Sequence, residues 1–211
     1  MMRSATLVYI HDPMCSWCWG FAPTFQQLRA QLPNSVGVQR LLGGLASDSD
    51  QPMPPAMRDY LQMTWHRIAE QIPGTRFNFE FWQACEPRRS TWPACRAVIA
   101  ARRQDANSEE RMIAAIQRAY YLEARNPSNE DTLVALAREN GLDADRFAEL
   151  LDDDGTHREL ARELAHARSL GADSFPSLRL LIDTDAQPVP VDYNGTVSML
   201  DTVNALLAET A

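Results

Sequence analysis

His11-Asp12-Pro13-Met14-Cys15-Ser16-Trp17-Cys18-Trp19-Gly20 is the stretch whose reading decides the fold. Ahead of it, Thr6-Leu7-Val8-Tyr9-Ile10 is a short, almost wholly apolar run that predicts a buried strand. Pro13 breaks the ladder and biases Asp12 to extended backbone. Behind it, Trp17, Phe21, Phe25, Leu28 and Leu32 recur at three- and four-residue steps, which predicts a helix that opens at the two cysteines and stops at Pro33-Asn34. Val36 to Leu42 reads as a second strand and Gly43-Gly44 as its exit. Strand, helix and strand in so short a span predict a βαβ unit with parallel strands and a right-handed crossover.

Working outward, the region from about Pro52 to Leu170 carries helical periodicity, broken only by the ambiguous aromatic stretch Phe77 to Trp82. Ser128 ahead of Asp131, the Asn140-Gly141 stop and a capping box of Thr156 with Glu159 punctuate it. Strand character returns at Leu178 to Ile182 and Val189 to Tyr193, joined by a turn over Asp183 to Pro188, and a helix with Met199, Leu200, Val203, Leu206 and Leu207 closes the chain. The expected fold class is α/β, in the order βαβ, helical insertion, ββα. Its predicted units are residues 1–50, the helical insertion 51–171, and residues 172–211.

The chain has 211 residues, 45% of them apolar, enough for a sizeable core without covalent staples. Four cysteines are too sparse for a secreted disulfide framework, which favours a reducing, cytoplasmic setting. The strand that leads into Cys15 is too short for a signal-peptide core, and no run approaches a membrane span, so neither export nor a membrane partner is expected. A formal charge of −8 repels phosphate backbones and argues against nucleic acid. All basic residues are arginine, which excludes Schiff-base chemistry and a P-loop lysine and leaves arginine alone for any carboxylate clamp.

Cys15 and Cys18 fall at the first turn of the predicted helix, on one face, where unpaired N–H groups and the helix dipole favour a thiolate. Cys15, nearer the helix end, is the expected nucleophile, its pKa lowered into a range of about 3.5–7.5, and Cys18 the resolving thiol. A lone C-x-x-C is also half a zinc site, with His11 a third ligand, but no second Cys or His pair follows; no metal is expected. Trp17 and Trp19 either form an apolar lip for substrate or enter the core. Asp12 either relays a proton to Cys18 or caps the helix, and His11 either favours the thiolate when protonated or is held by a backbone carbonyl. Cys85 and Cys95 can pair only if their Cα atoms lie within about 7 Å. Ser90 and Thr91 before Pro93 read as a helix cap.

The C-x-x-C opening a helix, Pro23 five residues later, and Gly171-Ala172-Asp173-Ser174-Phe175-Pro176-Ser177 before a strand together resemble the thioredoxin superfamily. The long helical insert resembles its DsbA-like branch, and the segments His11 to Gly20 and Pro87 to Ala97 are most similar to the cytosolic FrnE-like group. The resemblance implies a thioredoxin fold, a disulfide reductase, oxidase or isomerase, and a cis Phe175–Pro176 bond. That bond would set Phe175 backbone groups beside the dithiol for an extended substrate, with Ser16, Trp17, Ser174 and Phe175 contacting it and Pro176 completing the catalytic site. The implied partners are disulfide- or thiol-containing peptides or small molecules. No resident cofactor is implied, with glutathione as the one candidate co-substrate. The resemblance also extends to glutathione-dependent isomerases and transferases of the kappa class, where Arg88 or Arg89 would clamp a carboxylate; cysteine in place of their serine weighs against that alternative. A homodimer is expected if the insert exposes an apolar face.

Overall fold

A computed structural model describes residues 5–209; residues 1–4 and 210–211, the outer ends of the two predicted scaffold segments, lie outside it. The chain runs β1 (Ala5–His11), α1 (Ser16–Gln31), β2 (Val36–Leu42), then helices α2 (Pro55–Gln71), α3 (Phe81–Ala84), α4 (Trp92–Gln104), α5 (Glu109–Tyr121), α6 (Glu130–Glu139), α7 (Ala144–Leu151) and α8 (Asp154–Ser169). It returns to the sheet as β3 (Ser177–Ile182) and β4 (Asp185–Val189) and ends in α9 (Val197–Glu209). The fold is a thioredoxin fold with a helical insertion between β2 and β3.

The sheet order is β2-β1-β3-β4, with β1 parallel to β2 and antiparallel to β3. β1 is central because both its faces are apolar. Leu7 and Tyr9 pack with Phe21, Phe25 and Leu28 of α1 and Met199 and Val203 of α9, while Val8 and Ile10 pack with Ala167 and Ala172 on the other side. This is the period-2 division that a doubly covered strand requires.

The insert has its own core. Seven residues of α4, from Ala94 and Cys95 through Ala97 to Ala101, are buried nearly all round. Their small side chains let α5, α7 and α8 close on it from different sides. Trp65 of α2 stands in a ring cluster with Phe77, Phe79, Phe81, Trp82, Tyr120 and Tyr121. Phe77 to Trp82 is therefore packing material for Trp65, in loop and a one-turn helix, and not a strand. Two polar ties hold insert to sheet: Glu163 of α8 accepts from the Leu42 N–H at 2.8 Å, and Arg40 of β2 pairs with Glu110 of α5.

Two sequence expectations are corrected. β4 begins at Asp185, earlier than the predicted Val189, because Asp183 takes a left-handed turn (φ 54°) that reverses the chain at once; Pro188 lies within the strand opposite Arg179 and Pro190 beyond its end. The cap of α8 is Asp153, whose carboxylate accepts from the Thr156 N–H, so Thr156 sits inside the helix and not at its box. No described helix is long and apolar enough to cross a membrane.

Candidate active site

Pro13 and the end of β1 deliver Cys15 to the N-cap of α1, where its N–H donates to the Asp12 carbonyl at 3.0 Å and its carbonyl accepts from Trp19 at 3.0 Å. Cys18 lies one turn inside, beside the Cys15 side chain. Their environments differ. Cys15 keeps 5% of its surface and its Sγ lies 3.4 Å from the Phe175 carbonyl oxygen, whereas Cys18 is fully sealed. Burial, followed by the Cys15 sulfur beside it, pushes the Cys18 thiol well above the ordinary thiol range. None of the four cysteines is joined to another by a disulfide in the structure.

The loop opposite the thiols ends in a cis Phe175–Pro176 bond, with Pro176 buried, Phe175 half-buried and Ser174 exposed. The Phe175 ring rests on Gly43 at the exit of β2. A Cβ built there would lie 2.2 Å from the ring, so only glycine leaves room for it. Gly43→Ala is accordingly expected to displace Phe175 and, with it, the carbonyl beside Cys15. In an insulin-reduction assay kcat/KM should fall about 10- to 100-fold while the melting temperature changes little; unchanged kinetics would show that this packing has no part in turnover.

Asp12 does not cap α1. Its Oδ1 accepts from the Met14 N–H at 2.7 Å, and its Oδ2 accepts from the Leu45 N–H at 2.7 Å and the Thr91 hydroxyl at 2.6 Å, with the Cys95 thiol 3.7 Å away. One fully buried carboxylate thus joins the cysteine loop, the loop after β2 and the start of α4. Burial raises its pKa, and the bonds from Thr91, Leu45 and Met14 oppose that rise. Thr91 consequently is no side-chain cap for α4 either; its hydroxyl serves Asp12, while Ser90 accepts from the Ser49 N–H. Thr91→Val should leave that carboxylate one donor short and cost about 1.5–3 kcal/mol, measurable as a lower urea midpoint.

His11 is buried against Tyr9, ring centroids 4.9 Å apart, and its Nε2 has no hydrogen-bond partner among the described residues. Burial, with Arg40 adding to it, lowers its pKa to about 3. It is neutral wherever the protein works, which corrects the expectation of a protonated imidazole beside the thiolate, and no backbone carbonyl holds its Nε2.

Ser16 is also turned inward: its hydroxyl accepts from the Trp65 indole N–H at 2.9 Å, making it a strut between α1 and the insert instead of a substrate contact. The two flanking tryptophans part company. Trp17 is half-buried between Tyr193 (5.2 Å) and the Arg67 guanidinium (5.4 Å), on the surface beside the thiols. Trp19 stacks on Tyr121 and donates to the Arg76 carbonyl at 3.1 Å, as part of the insert core. Cys85 donates to the Ala124 carbonyl and Cys95 packs near Asp12, so the two thiols face different partners. No group of three or more His, Cys, Asp or Glu side chains that could hold a metal ion occurs among the described residues. Gly43, Thr91, Leu45 and Trp65 are site components that sequence reading did not identify as such; the glycine pair was visible only as a strand exit.

A dithiol at the tip of the first helix, facing a cis-proline loop at the same end of a four-stranded sheet, defines a thioredoxin-fold protein of the dithiol type. The chain belongs to the DSBA-like thioredoxin domain family, whose sequence model matches residues 6–180. In structure it is similar to a protein from Nitrosomonas europaea solved as a candidate protein disulfide isomerase, with 26% identity, TM-score 0.85, and coverage of 99% of this chain and 100% of the other. It is likewise similar to the cytosolic disulfide reductase DsbM of Pseudomonas aeruginosa, with 29% identity, TM-score 0.72, and coverage of 97% and 98%; DsbM has also been solved with GSH. Among curated proteins, the ClpXP adapter protein SpxH of Halalkalibacterium halodurans is 22% identical over 170 residues, which are 79% of this chain and 55% of that protein. The chain spans little more than half the length of the curated relatives it matches.

Proposed function

We propose that this protein is a thiol-disulfide oxidoreductase in which Cys15 is the nucleophile and Cys18 the resolving thiol. The observation that carries the reading is the asymmetry of the pair: one sulfur at the helix tip, 3.4 Å from the Phe175 carbonyl, and the other sealed a turn below it. The Cys15 thiolate attacks a substrate disulfide, releasing one substrate thiolate and forming a mixed disulfide. Cys18 then loses its proton and attacks the Cys15 sulfur, releasing the second substrate thiol and leaving a Cys15–Cys18 disulfide. Two electrons pass to the substrate; the reverse sequence oxidises a dithiol.

Cys18 needs a proton acceptor because burial holds its thiol protonated. Asp12 is the candidate acceptor: it is a buried carboxylate whose charge acts on the Cys18 thiol, and its own raised pKa suits it to take a proton and return it. His11, neutral and without a hydrogen-bond partner at Nε2, has the weaker case. An extended peptide would pair with the Phe175 backbone and rest on Trp17. The similarity to a cytosolic reductase solved with GSH supports a cytoplasmic enzyme whose oxidised pair is returned to the dithiol by two glutathione thiols.

Redox titration against glutathione with thiol trapping tests this. A reversible two-electron couple between roughly −120 and −270 mV is expected for Cys15 and Cys18. The resemblance to the two SpxH adapters favours a second reading, a protein-docking role in which the cysteines are structural; a pair that shows no reversible couple in that range would favour it.

A further inference from the structure

Behind α1, on the side facing the insert, opens a cavity of about 880 Å³ that holds neither thiol nor any residue of the Ser174–Pro176 loop among its lining residues. Its walls mix apolar surface, from Trp19 and Pro23 of α1, Ile72 and Pro73 after α2, Leu122 after α5 and Tyr193, with polar side chains such as Gln26, Gln27 and Asn194. Gly20 sets the width at one point, since a Cβ there would come within 2.7 Å of Ile72 Cδ1. The Trp19 indole is held by the Arg76 carbonyl, and Tyr193 by the Thr24 hydroxyl that donates to its carbonyl at 2.8 Å. Volume and lining are those of a small-molecule site.

Gln117 of α5 lines the same cavity. The residue is only 5% exposed, yet its side-chain amide makes no hydrogen bond to any described residue. Neither amide atom is sealed from the cavity, so one side chain offers both a donor and an acceptor to whatever occupies it. Among the lining residues only Arg76 is charged, and it is exposed at the rim, where water screens it. We propose that this cavity binds a small uncharged molecule with a flat apolar ring and a carboxamide or lactam group, the ring lying against Trp19 and Leu122 and the amide pairing with Gln117. The site is separate from the dithiol chemistry and stands or falls without it.

Benzamide is the probe. Titrated into the full chain and followed by saturation-transfer NMR, it should bind saturably, more tightly than toluene, which lacks the amide, and than benzoate, which carries a charge. Gln117→Leu should weaken benzamide about tenfold and leave toluene unaffected. Ala114→Trp, at an exposed lining position, should block both while the circular-dichroism melt stays that of the parent, and Cys15→Ser should bind benzamide as the parent does. Benzoate binding as tightly as benzamide, indifference to both the Gln117 and Ala114 substitutions, or no saturable binding would overturn the assignment.

Discussion

Cys15→Ser is expected to bring disulfide reduction down to the uncatalysed background and to form no mixed disulfide, whereas Cys18→Ala should accumulate one. The two thiols are neighbours in sequence but not in chemistry. Cys15 keeps a small exposed fraction and its sulfur faces the Phe175 carbonyl, so of the two thiols it is the one an incoming disulfide meets first. Cys18 has no exposed surface, and any disulfide that reaches it must already be attached to Cys15. Removing the first thiol therefore removes the attack itself, and a serine hydroxyl, with a far higher pKa, supplies no nucleophile in its place. Removing the second leaves the attack intact and the product stranded. Incubation of each variant with oxidised glutathione followed by intact mass spectrometry reads the outcome directly. An adduct on Cys15→Ser at the rate of the parent would reverse the assignment of roles.

His11→Phe should produce the largest change in stability with pH. In the folded protein His11 has a pKa of about 3 against an ordinary 6.5, because it is buried beside Tyr9 with Arg40 nearby. The unfolded chain binds the proton first as pH falls, so stability is intact above about 6.5 and is lost progressively down to about 3. At about 1.4 kcal/mol per pH unit the loss reaches at most about 5 kcal/mol, a large part of the 5–15 kcal/mol of an ordinary domain. Asp12 acts in the opposite sense. Its raised pKa means the folded state takes up a proton before the unfolded state does, so its ionisation penalty is relieved as pH falls toward the ordinary carboxyl value. A phenylalanine keeps the stacking on Tyr9, removes the unpartnered Nε2, and abolishes the His11 contribution while leaving that of Asp12. Urea unfolding of parent and variant across pH 7 to 4 should therefore give curves that diverge as pH falls, the variant being the flatter. Parallel curves would mean that His11 is protonated in the folded protein, and loss of activity in a stable His11→Phe would return it to the proton path.

Much of this was legible because it is local. The apolar run of β1, the three- and four-residue spacing of α1 and the position of Pro13 are written within some thirty consecutive residues, and each element forms for reasons its own side chains supply. The cysteines fall at the helix tip by the same local arithmetic. What failed to read were contacts between distant segments. Thr91 looks like a helix cap in its own neighbourhood, and only the arrival of Asp12 from the other end of the fold claims its hydroxyl. Ser16 looks like a substrate contact until Trp65 arrives from the insert.

The sequence by itself determined the strand-helix-strand opening, the helical insertion and the dithiol, since period, turn residues and spacing are properties of a chain; the proline loop opposite the dithiol was legible only through the resemblance to the thioredoxin superfamily. Tertiary structure alone decided which cysteine is sealed, that Asp12 is a buried joint and His11 a neutral one, and that Gly43 must be small to seat Phe175. Desolvation and packing depend on what surrounds a group on every side, and those surroundings are assembled from segments that no local pattern connects.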